Sequence, residues 1–322
     1  MNDNGYSVML DSATKFFRCI YIHGWFHHDS DQLEEVRLLG DGLIHQISET
    51  GIPHGGVQAL GENLGFELQC IRSAEELTPD YSVEFRTKSG KVLTYPLYEL
   101  CKDRIAAYPS PRMAERFLSE VAARKLSVLD VGGRARSKRD RSKEFDTEDY
   151  VVLDIIDGPN VDVVGDAHEL SRFFPPDRFD AFYSVSVFEH LLMPWAVVLQ
   201  LNRVLKTGGI GLISTHQTLG MHDMPWDFWR FSDTAWDALF NRMTGFEIID
   251  RALDFDQYIL PFIFRPSKMQ AEKSVGFEGS AVLVRKIGPA AVSWDLTPAM
   301  ITETAYPDND DGYVPDGFGG LY

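Results

Sequence analysis

The run Val128-Leu129-Asp130-Val131-Gly132-Gly133 decides the fold. It is an apolar strand with one acid near its end, stopped by two glycines. Near-continuous apolar strands belong to parallel sheets covered on both faces. Glycine at the exit lets a ligand approach the backbone closely, and open α/β sheets bind ligands at the carboxyl ends of their strands. Outward from this run, further apolar segments stand at 150–156, 161–164, 179–185 and 210–214. Helical spacing fills the gaps. Ser110-Pro111 reads as a helix start, followed by Met113, Phe117, Leu118, Val121 and Ala122 on one face. A helix over 195–206 is expected to stop at Gly208-Gly209, and another to follow Ser232. Segments 246–250 and 281–286 read as two closing strands.

Before residue 97 the period changes to two. Phe66, Leu68 and Cys70 alternate with polar residues, as do Tyr81, Val83 and Phe85. Leu33–Leu39 and Leu43–Ile47 flank an Asp41-Gly42 turn, and Ser89-Gly90 precedes a hairpin return. The expected organisation is a small β-rich, sandwich-like domain over 1–97, an α/β domain over 98–288, and an irregular tail over 289–322.

The chain has 322 residues, and 48 acidic against 31 basic residues give a net charge of −17. That excess argues against nucleic acid as a partner, because phosphates repel it. No apolar run is long enough to span a membrane, and the N-terminus lacks the apolar core of a secretory signal. Cys19, Cys70 and Cys101 stand singly, which is neither a disulfide framework nor a zinc pattern. A cytoplasmic protein is expected, with a homo-oligomer left open. No metal is expected: His27-His28-Asp29 with Asp31 read as a surface turn, and His23, His45 and His54 show no spacing pattern.

Asp154 ends the second strand 24 residues after Asp130, where an acid accepts hydrogen bonds from ribose hydroxyls. The loop after Gly133 lacks the later glycines of a nicotinamide-binding G-x-G-x-x-G, and no P-loop GK[ST] is present.

Four ordered pieces over residues 105–288 resemble the class I S-adenosylmethionine (SAM)-dependent methyltransferases, of the type 11-like kind. They are VLDVGG (128–133), YVVLDI (150–155), VVGDAHEL (163–170), and FDAFYSVSVFEHL (179–191) followed by LNRVLKTGG (201–209). The resemblance implies a Rossmann-like, mostly parallel seven-stranded sheet with SAM as cofactor. It implies cofactor contacts from Asp130, Gly132, Gly133, Asp154, Ile155, Asp166, Ala167 and Ser184. Arg134 and Arg136 stand where such proteins usually carry further glycines. LDIIDGPNVDVVGDAHEL and DMPWDFWRF resemble a subgroup found in bacterial surface-glycan gene clusters. That narrower likeness implies a glycan or an activated, nucleotide- or lipid-linked phosphorylated sugar as acceptor. The alternatives are a small-metabolite acceptor, or a non-catalytic scaffold on a decayed methyltransferase fold.

A hydroxyl acceptor benefits from a general base by roughly 10²–10⁴-fold. Candidates lie on loops after the strands: His222 and Asp227 after the fifth strand, and His190 after the fourth. His216, Trp226, Trp229 and Arg230 are the candidate acceptor contacts, aromatic faces suiting sugar rings and charged groups suiting hydroxyls or phosphate. Asp227 and Arg230 can equally pair with each other and fix the loop. The six basic residues of RARSKRDRSK (134–143) read either as a solvated loop or as a clamp for a phosphorylated acceptor.

Overall fold

A computed structural model describes residues 2–3, 5–73, 80–134, 140–260 and 275–302. The chain divides into two compact units, Met1–Ala107 and Tyr108–Tyr322.

The first unit holds strands β1 (Asn2–Asp3), β2 (Tyr6–Phe16), β3 (Cys19–His27), β4 (Leu33–Leu39), β5 (Leu43–Ile52), β6 (Gly65–Arg72), β7 (Ser82–Thr87) and β8 (Val92–Pro96), then helix α1 (Leu97–Ala107). They form two antiparallel sheets, ordered β1-β2-β3-β6-β5 and β4-β7-β8. Alternation fixes the faces: along β3 and β7 every second side chain is buried. Ile20, Ile22, Phe66 and Leu68 from one sheet meet Val36, Leu38, Val83 and Phe85 from the other in a single core. Ser89-Gly90 turns the β7–β8 hairpin. Asp41-Gly42 does not close a hairpin: β4 pairs with β7 and β5 with β6, so the turn carries the chain between sheets. Helix α1 belongs to this unit, whereas the strand-to-helix change of period had put residues 98–107 in the next.

The second unit begins with α2 (Pro109–Arg124) and continues through β9 (Val128–Val131), β10 (Tyr150–Asp154), β11 (Val163–Val164), β12 (Phe179–Val185), α3 (Pro194–Val204), β13 (Leu205–His216), α4 (Ala235–Leu239), β14 (Phe246–Tyr258), β15 (Val275–Lys286) and α5 (Pro298–Ile301). Seven strands make one sheet in the order β11-β10-β9-β12-β13-β15-β14. The pairs among β9, β10, β11, β12 and β13 are parallel, while β15 runs antiparallel to both of its neighbours. The sheet is therefore mixed, within an α/β Rossmann-like arrangement.

Adjacent residues of β9 feed opposite faces. Val128 joins Met113, Phe117 and Val121 of α2, while Leu129 and Val131 join Val197, Val198 and Leu201 of α3. Buried on both sides, the strand has no polar face, hence its unbroken apolar sequence. Two helix boundaries differ from expectation. Helix α2 has Tyr108 at its N-cap and Pro109 in its first turn, without a side-chain cap from Ser110. Helix α3 ends at Val204, and Leu205 is already extended, so Gly208-Gly209 lie inside β13. They sit where the β12–β13 register shifts between Phe179 and Ala181; Gly208, at φ +84°, takes the left-handed backbone that such an irregularity accommodates.

Candidate active site

The parallel strands β9, β10, β12 and β13 end on one edge of the sheet, and the predicted site residues gather there. At the end of β9, Asp130 is buried and accepts a hydrogen bond from Tyr150 Oη at 2.7 Å. Burial pushes its carboxyl up to about 6, against the Tyr150 hydrogen bond and the Arg141 charge, which lower it. Gly132 follows at φ +77°, and a Cβ there would overlap Val187. A Cβ on Gly133 would overlap the Asp130 carboxyl. Both glycines are thus required by space.

Asp154 closes β10. Its Oδ1 accepts from Ile156 N at 3.0 Å and its Oδ2 from Arg134 N at 3.2 Å. The Arg134 side chain lies toward Asp154: its Nε stands 3.8 Å from Asp154 Oδ1, and its methylenes lie against Gly158. Arg136 and the rest of 135–139, half of the basic stretch, lie outside the described residues. So does most of the proposed tail, 303–322. Ile155 directly follows Asp154 in the turn. Asp166 caps the short helical turn Ala167–Arg172, accepting at Oδ1 from His168 N at 2.9 Å and from His168 Nδ1 at 2.6 Å. His168 Nε2 in turn accepts from Met193 N at 3.1 Å, so its proton sits on Nδ1. That buried link was not singled out in the sequence. Ser184 points inward and donates to Val131 O at 3.0 Å, tying β12 to β9.

Across the edge, at the ends of β12 and β13, stands a second group. A helical turn, Phe188–His190, follows β12. Its Glu189 side chain is fully buried, and Oε2 accepts from Thr215 Oγ1. Oε1 faces three imidazoles: His216 Nε2 at 3.2 Å, His190 Nε2 at 3.8 Å and His222 Nε2 at 4.0 Å. Sequence reading found the three histidines but missed Glu189. A single acid in a turn carries no signal until the fold brings three segments onto it. Burial lowers the His216 pKa, partly offset by the Glu189 charge.

The segment after β13 is stitched down by backbone bonds. Phe228 N and Trp229 N donate to Glu189 O at 2.9 and 3.1 Å, and Phe231 N donates to His216 O at 2.9 Å. Asp227 and Arg230 are part of that stitching. The guanidinium grips both Asp227 oxygens, at 2.6 and 2.7 Å, and Asp227 Oδ2 also accepts from His222 N at 2.9 Å. Arg230 spends its remaining donors on the Leu219, Gly220 and Trp229 carbonyls. Burial raises the Asp227 pKa, but the Arg230 and His222 hydrogen bonds outweigh it and hold the carboxyl below the usual range. Asp227 and Arg230 thus pair with each other and pin the loop. Trp229 packs edge-on to Trp195 at 5.8 Å and donates from Nε1 to Leu191 O. Trp226 packs edge-on to Phe228 at 6.4 Å.

Residues 93–213 match the family model described as a methyltransferase domain. The enzyme is an S-adenosylmethionine-dependent methyltransferase. The match spans the strand-end acids and glycines above, and it takes the place of the non-catalytic scaffold reading. Among solved structures, the methyltransferase is similar to the Burkholderia thailandensis 1,6-didemethyltoxoflavin-N1-methyltransferase, crystallised with 1,6-didemethyltoxoflavin and S-adenosylhomocysteine. That likeness has 17% identity and TM-score 0.40, and covers 59% of this chain and 84% of that one. A methyltransferase-like protein from Bacillus halodurans aligns at 16% identity and TM-score 0.40, over 54% of this chain and 98% of that one. A SAM-dependent methyltransferase from Mesorhizobium loti aligns at 16% identity and TM-score 0.33, over 50% of this chain and 91% of that one. No curated protein matches the chain. No helix among the described residues is long and apolar enough to cross a membrane.

Proposed function

We propose that the enzyme methylates a hydroxyl of a sugar, carried by a glycan or by a nucleotide- or lipid-linked phosphorylated donor. The observation that carries this reading is the Glu189 cluster, three imidazoles around one buried carboxyl at the strand ends beside the glycine loop. A hydroxyl, unlike a thiolate or an amine, must lose its proton as it attacks, and the cluster is where that proton is given up. The role assigned by sequence to His222, Asp227 or His190 thereby passes to His190, His216 and His222 together. Trp226 and Trp229 lie on the same segment, and the likeness to glycan-cluster proteins supports the acceptor class.

The residues present fit SAM. Asp154 keeps a carboxyl whose described partners are backbone N–H groups and the Arg134 side chain. Asp166 spends only Oδ1 on His168. Asp154 would hold the ribose hydroxyls, Asp166 with Ala167 the adenine, and the Asp130–Gly133 backbone the amino-acid end, with Ile155 flanking. Ser184 would act through the Val131 carbonyl it holds. When bound, SAM supplies a methyl group on a sulfonium whose sulfur keeps the electron pair of the broken bond. The protein's share is to bring the hydroxyl in line and to accept its charge.

Labelled SAM screened against nucleotide sugars and cell-envelope glycans tests the reading. Label on a sugar oxygen is the expected result; label only on nitrogen or on non-sugar metabolites would overturn it.

A further inference from the structure

We propose that His216 is the catalytic base of the methyl transfer and that Glu189 is its positioning residue, the two forming a carboxylate–imidazole pair. The assignment rests on the reading of the acceptor as a sugar hydroxyl. Sequence reading places His216 among the acceptor contacts and does not single out Glu189. Their new roles come from the place where β12 and β13 end side by side.

Charge is the first observation. The Glu189 side chain is fully buried. A carboxylate taken out of water needs a cation or hydrogen bonds in return. Oε2 has one such bond, from Thr215 Oγ1. Oε1 receives no hydrogen bond among the described residues. The Arg230 guanidinium is already committed: it grips both oxygens of the fully buried Asp227 and bonds three backbone carbonyls. The Glu189 charge is left for an imidazole to balance.

Distance selects the imidazole. His216 Nε2 stands 3.2 Å from Oε1, within hydrogen-bond range. Its N–H is not aligned with Oε1 in this structure. Catalytic hydrogen bonds are often poorly aligned before the substrate binds and tighten in the complex. His222 Nε2 lies farther, at 4.0 Å, and His222 Nδ1 lies 3.1 Å from Gly220 O. His190 is divided between two carboxyls: its Nε2 lies 3.8 Å from both Glu189 Oε1 and Asp223 Oδ2, and its Nδ1 lies 2.7 Å from Trp226 O.

With its proton on Nε2, facing Oε1, neutral His216 keeps its lone pair on Nδ1. No hydrogen bond occupies that atom among the described residues. Burial holds His216 below the ordinary histidine range, and the Glu189 charge partly restores it. Of the other neighbours, His222 and Arg230 lower it further and Glu278 raises it. On the loop, Asp227 is held by Arg230, and Asp223 faces His190.

The step then balances. As the acceptor oxygen bonds the methyl carbon, the carbon–sulfur bond breaks with its electron pair left on sulfur. The hydroxyl proton passes to His216 Nδ1. The imidazolium so formed is held through Nε2–H by Glu189 Oε1, and release of its proton to water resets the pair.

The test reads protons directly and needs no acceptor. In the full chain with isotope-labelled histidine, nuclear magnetic resonance should find neutral His216 protonated on Nε2. In Glu189→Gln its titration midpoint should fall by about one pH unit or more, a tenfold loss of proton affinity, because burial then acts on the ring without the counter-charge. SAM affinity, read by calorimetry, should be kept. A variant that merely loosened the fold would move the midpoint the other way, toward that of an exposed histidine, so the direction separates positioning from structure. A proton on Nδ1 of neutral His216, or a midpoint that does not fall in the folded variant, overturns the proposal. The tautomer is read on the wild type, so the test stays decisive if Glu189→Gln fails to fold. With a methylated sugar in hand, His216→Gln should lower turnover by roughly 10²-fold or more; wild-type turnover in this variant would also overturn the proposal. The expected tautomer and midpoint without any sugar methylation would leave the Glu189–His216 pair standing and sink only the acceptor reading.

Discussion

Asp154 and Asp130 show how two acids 24 residues apart on neighbouring strand ends are put to different use. Asp154 faces the edge with its described contacts limited to backbone N–H groups and Arg134. Charge-assisted bonds to two hydroxyls are each worth roughly 1.5–3 kcal/mol. Asp154→Ala is expected to weaken SAM binding tenfold or more by calorimetry with the circular dichroism spectrum unchanged. Asp130 is sealed in, and burial raises its pKa to about 6 from 3.8. A raised folded-state value means that the fold prefers the neutral acid. Its stabilising share is whole below about pH 4 and is lost as pH climbs through 6. At about 1.4 kcal/mol per unit between the two values, the loss approaches roughly 3 kcal/mol. Denaturant melts from pH 4 to pH 8 should show Asp130→Asn gaining on wild type by that order; parallel curves would contradict it.

Glycine and loop geometry act at the scale of the element. Gly132 combines φ +77° with a site where a Cβ would overlap Val187. Gly132→Ala should cost about 1–3 kcal/mol of stability and abolish measurable SAM binding, as the strand exit is displaced. The segment 217–231 has no helix or strand of its own and depends on its stitches to Glu189 O and His216 O and on the Asp227–Arg230 pair. Breaking a buried pair leaves a charge uncompensated. Asp227→Asn is therefore expected to speed limited proteolysis within 217–230 and to lower turnover at least tenfold, with SAM affinity kept. Unchanged cleavage rates would show that the backbone bonds alone hold the loop.

For the whole molecule, each of the two units closes its own core, one between two antiparallel sheets and one on both faces of the mixed sheet. All proposed SAM contacts come from the unit that begins at Tyr108. Residues 108–322 expressed alone are expected to fold and to bind SAM within about threefold of the full chain. An insoluble fragment, or one that folds without binding, would show that the first unit is needed for the pocket.

The α/β sheet, its glycine exit and its strand-end acids were legible because they are local. Burial on both faces writes an apolar run, and a left-handed turn writes a glycine. The same locality explains a misplaced feature: Gly208-Gly209 read as a helix stop but serve a strand irregularity. The antiparallel placement of β15 leaves no mark, since an inner strand is apolar in either direction. The sequence by itself determined the sheet, the glycine loop and the pool of histidines. Only the tertiary structure decided that Asp227 belongs to Arg230 and that His190, His216 and His222 belong to Glu189. Those pairings join side chains from a turn, a strand end and a loop, and contact across separate segments depends on how the chain closes in space rather than on spacing along it.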